Sequence, residues 1–131
     1  MPGVKNTTNL TRYDNVTVSD IQNLLVDGPV GAMIYANAGF SSYKSGVYSG
    51  CTDFATSFAG INHAVVIVGM DANKNYIIKN SWGTAWGMNG FATVSSTNDC
   101  ALSAYVYQFT WGYQLIGSGL FFLLAFIVAL L

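Results

Sequence analysis

Apolar residues recur along this chain in two rhythms, and each predicts a different element. Between positions 19 and 27, Ile21, Leu24 and Leu25 fall on one face of a helix. Ser19 and Gln22 are spaced like a capping box at its start, and Gly28-Pro29 ends it. Residues 30–35, VGAMIY, are apolar throughout and bounded by turn residues, which predicts a buried strand. Residues 37–60 are rich in Gly, Ser, Tyr and Phe and read as loop with short turns of helix. Residues 64–68 and 76–78 are rich in β-branched side chains and are separated by GMDANKN, a natural reversal, so an antiparallel hairpin is expected. Residues 90–95 and 104–109 add two more strands. The expected class is mainly β with one short N-terminal helix (α+β).

A chain of 131 residues is long enough for one domain with its own core and too short to argue for two. Charged residues make up 8%, with no Glu, against roughly 25% in an average soluble protein, so much of the surface is expected to face something other than water. The net charge of -1 comes from five basic and six acidic residues scattered singly. That pattern excludes the basic footprint of a nucleic-acid binder.

Residues 111–131, WGYQLIGSGLFFLLAFIVALL, carry no charge. At about 1.5 Å per residue such a stretch could cross a hydrocarbon core of roughly 30 Å as a helix, with Trp111 and Tyr113 as interfacial anchors. A C-terminal hydrophobic, membrane-spanning helix is therefore expected. A buried core helix is the alternative, and a glycolipid-anchor signal fits poorly because Gly117, Ser118 and Gly119 abut the apolar tail without a spacer. No Lys or Arg flanks the segment, so its orientation is not readable. At the other end, the opening residues lack the apolar stretch of a secretory signal. They nevertheless hold three glycosylation acceptors, at Asn6, Asn9 and Asn15. Together these features suggest a lumenal or extracellular chain, the downstream part of something longer, with residues 1–12 as an N-terminal extension.

The expected hairpin has a chemical consequence. His63 and Asn80 stand seventeen positions apart, and a reversal centred near Ala72 brings them nearly opposite each other. An imidazole used for proton transfer needs a neighbour that fixes its orientation, and a carboxamide oxygen does so without adding charge. Trp82, beside Asn80, could keep water off that bond. A solitary histidine is more often structural, but His63 does not stand alone.

These residues resemble the papain-like cysteine peptidases, the cathepsin family. Asn62-His63-Ala64 is similar to the segment around that family's catalytic histidine, and Lys79-Asn80-Ser81-Trp82-Gly83 to its asparagine segment. Thr84-Ala85-Trp86-Gly87 and Asn89-Gly90-Phe91 continue the block. Upstream, Gly28-Pro29-Val30 and Tyr43-Lys44-Ser45-Gly46-Val47-Tyr48 match. Downstream, Cys100-Ala101-Leu102 stands where the family more often has Cys-Gly. The likeness runs from roughly residue 13 to 110.

The resemblance implies the C-terminal half of the papain-like fold, an antiparallel, barrel-like β domain that supplies one wall of a cleft. His63 would be the catalytic acid and base and Asn80 its orienter. Trp82 would shield their bond, and Trp86 would line the cleft. Met33, Ile61 and Tyr105 fall where the family walls a pocket for an apolar substrate side chain, though each could equally be core. The nucleophile, in a Cys-Gly-Ser-Cys-Trp-like motif about 130 to 150 residues before the Asn and His region, has no counterpart here. Cys51 lies only twelve residues before His63 and lacks that context. Cys51 and Cys100 fall near family positions that are paired with each other, which implies a disulfide; two free buried thiols are the alternative. No cofactor or metal is implied. The expected activity is peptide-bond hydrolysis, absent unless a nucleophile-bearing half or partner completes the site. The alternative is a catalytically dead, membrane-tethered binding subunit. Either would live in an endomembrane lumen, a lysosome-like compartment or outside the cell.

Overall fold

The computed structural model describes the backbone of residues 4–115 and the side chains of residues 9–110. Its strands are β1 (Val4–Asp14), β2 (Val30–Ile34), β3 (Val47–Tyr48), β4 (His63–Met70), β5 (Tyr76–Lys79), β6 (Phe91–Val94) and β7 (Tyr105–Leu115). The helices are α1 (Val18–Leu24), α2 (Ala38–Ser41) and α3 (Phe54–Ala59), and a 3-10 turn (Leu25–Asp27) follows α1. The seven strands form one sheet in the order β1-β7-β2-β4-β5-β6-β3, antiparallel except where β3 lies parallel to β6. The expected mainly β character is borne out.

Alternation builds the core. Val30, Ala32 and Ile34 point inward from β2, Val65 and Ile67 from β4, Tyr76 and Ile78 from β5, Ala92 and Val94 from β6, and Val106 from β7. They pack against Ile21 of α1, Phe40 of α2, Tyr43, Trp86 and Leu102. Each fully buried aliphatic side chain contributes on the order of 1.5–3 kcal/mol relative to exposure. The sheet is thereby fixed as a platform for the residues at its strand ends.

Several expectations need correction. The first helix is capped by Thr17, not Ser19. Thr17 is extended, its hydroxyl accepts from the Asp20 N–H at 3.1 Å, and the Asp20 carboxylate accepts from the Thr17 N–H at 2.8 Å. Asp20 thus does at the third helical position what Gln22 was expected to do, and Ser19 lies inside the first turn. The loop 37–60 holds two capped short helices and β3, with Asn37 and Asp53 as the caps. Residues 4–12, read as an extension, belong to β1, which pairs along its whole length with β7 from Val4↔Leu115 to Asp14↔Tyr105.

That pairing also revises the expected C-terminal helix. Residues 111–115 continue β7 as strand, each paired with a residue of β1. The rest of the apolar tail, 116–131, lies outside the described residues. Among the described residues no helix is long and apolar enough to cross a membrane.

Candidate functional site

β4 and β5 form the expected hairpin, with one irregularity that decides the chemistry. Near the turn Met70 pairs with Tyr76 and Gly69 with Ile77; a bulge then shifts the register so that Ile67 pairs with Ile78 and Val66 with Lys79. One more step sets Asn80 opposite Val65, whose side chain shares a face with that of His63. Without the bulge Asn80 would oppose Val66 and point to the other face, because a one-residue slip inverts every side chain.

His63 opens β4, in register with Ile34 of β2. The residue before it is tied down: the Asn62 side chain accepts from the Ala36 N–H at 2.9 Å and donates to the Ala36 carbonyl at 3.3 Å. Asn80 follows β5, and its N–H donates to the Gly90 carbonyl at 2.9 Å. From these anchored positions His63 Nε2 lies 2.8 Å from Asn80 Oδ1.

The protonation follows from a neighbour. Asn80 Oδ1 also accepts from the Ser81 backbone N–H at 2.8 Å. A backbone N–H only donates, so the atom facing it must be the amide oxygen. His63 meets that same oxygen and must therefore donate to it from Nε2–H. The neutral ring is left with a bare lone pair on Nδ1, ready to accept a proton.

An aromatic ring covers one face of the pair. Trp82 stacks on the imidazole with ring centroids 4.7 Å apart and planes 29° apart. Asn80 is only 8% exposed, and its Nδ2 is buried without a partner among the described residues. A buried unpaired donor costs on the order of 1–3 kcal/mol, a cost of the kind that persists at functional sites. Trp86, expected at the cleft, is buried at 7% exposure. Its indole N–H donates to the Phe40 carbonyl at 3.2 Å, and its ring packs on Phe40, Tyr43 and Trp82. It meets the site through Trp82, as a core buttress.

The three expected pocket residues are half-buried. Met33 pairs with Ala64, the residue after His63. Gly31 pairs with Tyr107, so Tyr105, two residues back on β7, shares the Met33 side of the sheet. Ile61 lies two residues before His63. Tyr105 contacts Phe58 of α3 at 5.6 Å between ring centroids, and the Arg12 guanidinium sits 5.4 Å from its ring centre. Asn62 and Ser81 lay inside the quoted motifs without a role of their own, while Phe58 and Arg12 carried no local signal in the sequence.

Cys51 and Cys100 form a disulfide, as the resemblance implied, so neither is a free thiol. Asn9 and Asn15 are exposed, while the Asn6 side chain lies outside those described.

Comparison with known proteins places this geometry in a lineage. Residues 3–110 match the sequence model of the papain family cysteine proteases. The chain is 41% identical over 95 residues to gamete and mating-type specific protein A of Dictyostelium discoideum, covering 71% of this chain and 20% of that one. It is 36% identical over 90 residues to putative cathepsin L 3 of Paramecium tetraurelia, covering 69% and 27%. Among solved structures, the bromelain protease from Ananas comosus in complex with the E64 inhibitor superposes with a TM-score of 0.62 at 28% identity, covering 82% of this chain and 50% of that one. The chain therefore spans half or less of the length of each of these proteins. It belongs to the papain family of cysteine proteases.

Proposed function

We propose that this chain is the histidine-bearing half of a cysteine endopeptidase. His63 is its acid and base, Asn80 orients the ring, and the nucleophile is supplied by another half. The observation that carries this reading is the 2.8 Å contact between His63 Nε2 and Asn80 Oδ1, which leaves Nδ1 bare.

In this reading a thiol on the opposite wall gives its proton to His63 Nδ1, and Asn80 stabilises the resulting imidazolium through Nε2–H. The thiolate attacks the peptide carbonyl carbon and forms a C–S bond. As the C–N bond breaks, Nδ1–H passes its proton to the leaving amine. Water then gives a proton to Nδ1 and attacks the acyl carbon, and the thiolate departs. Trp82 limits water at the His63–Asn80 bond, and Met33, Ile61 and Tyr105 receive an apolar substrate side chain. Both cysteines stand in a disulfide, which supports a reading in which the thiol of the acyl intermediate comes from the other half.

The acceptors at Asn6, Asn9 and Asn15 would carry glycans in a lumenal, lysosome-like or extracellular setting, and the apolar C-terminal residues would hold the chain at a membrane. A second reading, a tethered binding subunit without catalysis, is favoured by the exposed Leu10, Val66 and Phe109, which would pack on a partner.

The test is to assay the purified chain on a peptide substrate, alone and mixed with a separately produced nucleophile-bearing half of a papain-family enzyme. Turnover is expected only in the mixture, and His63→Ala should abolish it. Robust turnover by the chain alone would contradict the reading. If association persists while both His63→Ala and Asn80→Ala leave the chain's role intact, the binding-subunit reading stands instead.

A further inference from the structure

Beside the Cys51–Cys100 disulfide lies a cavity of about 240 Å³ that the His63 site does not use. Asp53, Phe54 and Ser57 line it from α3 and its cap, and Asn98, Asp99 and Cys100 from the segment between β6 and β7. Neither His63 nor Asn80, nor any of the three expected pocket residues, lines it.

Its charge is one-sided. Two carboxylates, Asp53 and Asp99, stand in the wall, and no Lys, Arg or His does. Asp99 is only 9% exposed, and the ion pair seen among the described residues, Arg12 with Asp14, does not involve it. The Ala101 and Ser103 N–H groups donate to its two oxygens at 2.9 and 3.0 Å. Those bonds hold the carboxylate in place and leave acceptor capacity on each oxygen. A carboxylate withdrawn from water without a counter-charge is costly, and buried charges are ordinarily paired.

Asp53 is fixed in a similar way. It caps α3, accepting from the Thr56 N–H at 2.8 Å and the Thr56 hydroxyl at 2.9 Å. Those bonds hold its carboxyl below the usual carboxylate range, so it is charged at neutral pH. Two uncharged groups add to the wall. Ser57 is 1% exposed, and its hydroxyl has no partner among the described residues. Asn98 donates its amide hydrogens to the Ser49 and Cys51 carbonyls, which leaves its oxygen as an acceptor.

These walls select an occupant. An anion is repelled, and a neutral polyol would answer the hydroxyls while leaving both negative charges uncompensated. Calcium takes about six to eight oxygens, several of them charged, and among the described residues no group of three or more His, Cys, Asp or Glu exists to hold a metal ion. A primary ammonium brings one positive charge and only donors, the complement of a wall rich in acceptors. The Phe54 ring offers its face to the same cation and apolar surface to the methylenes behind it.

We propose that this cavity binds a primary alkylammonium group, the group that a lysine side chain presents, with Asp99 and Asp53 as its counter-charges and Phe54 beside its alkyl chain. The site is separate from the His63 edge, so it stands or falls independently of the catalytic reading.

The test follows the backbone amide NMR signals of Ser57, Thr97 and Asp99 while the purified chain is titrated with four probes. These are Nα-acetyl-lysine amide, its uncharged analogue Nα-acetyl-norleucine amide, n-butylammonium chloride and calcium chloride. Saturable shifts of the three signals are expected with the lysine amide, bound about tenfold or more tightly than the norleucine amide. Butylammonium binding as well as the lysine amide would identify a free amine as the ligand, and tighter binding of the lysine amide would identify a polypeptide side chain. Asp99→Asn keeps an acceptor oxygen for the backbone and should weaken lysine amide binding about tenfold. Equal binding of the lysine and norleucine amides, no shifts, shifts with calcium alone, or a folded Asp99→Asn chain that binds unchanged would each overturn the proposal. The comparison of probes on the unaltered chain needs no variant to fold.

Discussion

The indole of Trp82 lies over the imidazole of His63, 4.7 Å between centroids, and covers the face of a ring whose edge is bonded to Asn80. Trp82 is itself 40% exposed, so it works as a cover and not as core. Replacing it with alanine should leave the fold intact and admit water to the hydrogen bond. Exchange of the His63 Nε2–H with solvent should then quicken about tenfold, the equivalent of a typical hydrogen bond's net worth. Unchanged exchange would show that the stacked ring shields nothing.

Asn80 makes an unusual stability prediction. Asn80→Ala deletes the acceptor of the Ser81 N–H and of His63, but it also deletes the buried, unpartnered Nδ2. The two effects oppose each other, so the loss should be only about 1 kcal/mol in a urea titration. By contrast Ile78→Ala, at a fully buried position, should cost about 2–5 kcal/mol. A loss at Asn80 as large as that at Ile78 would mean that the site is a structural keystone.

The Tyr76 phenol is buried at the start of β5, and burial, aided by the negative charge of Asp99, pushes its pKa up to about 12. The folded state thus prefers the neutral phenol. The associated stability is fully present below the ordinary tyrosine value near 10 and is lost as pH rises through about 12. A shift of this size corresponds to about 3 kcal/mol. Thermal melts between pH 10 and 12 should therefore fall more steeply for the natural chain than for Tyr76→Phe. Parallel curves would remove Tyr76 as the alkaline trigger.

The disulfide closes a loop with a sequence separation of 49. In the chain-entropy picture that constraint is worth about 4 kcal/mol, and the Cys51→Ser, Cys100→Ser double variant should lose an amount of that order. Chemical denaturation with and without a reductant measures it. Because the same bond ties α3 to the Tyr105 segment, its removal should also loosen the contact between Phe58 and Tyr105, visible as sharper ring signals.

What the sequence made legible and what it hid divide along a physical line. The hairpin of β4 and β5 was readable because β-branched runs flank an obvious reversal. His63, Asn80 and Trp82 came with it because their local motifs are contiguous. The β-bulge between Ile67 and Gly69 was not readable, although the orientation of Asn80 depends on it, since nothing in VVIVGM marks where a ladder slips. The pairing of β1 with β7 was hidden for another reason. Polar residues 5–9, KNTTN, show no apolar alternation, and their strand state comes from a partner about a hundred residues away. The cap of α1 went to Thr17 because both it and Ser19 satisfy the same composition rule, and only the extended backbone at Thr17 decides between them. The burial of Trp86 follows from the distant Phe40 and Tyr43, which no spacing rule connects to it.

The central claim is that Asn80 presents its oxygen to His63 and so leaves Nδ1 bare for proton transfer. Nitrogen-15 NMR of the neutral His63 ring measures this directly in the chain as it stands. The account predicts the tautomer protonated at Nε2, with coupling of that proton lost in Asn80→Ala. A ring protonated at Nδ1, or one indifferent to the Asn80 substitution, would contradict it.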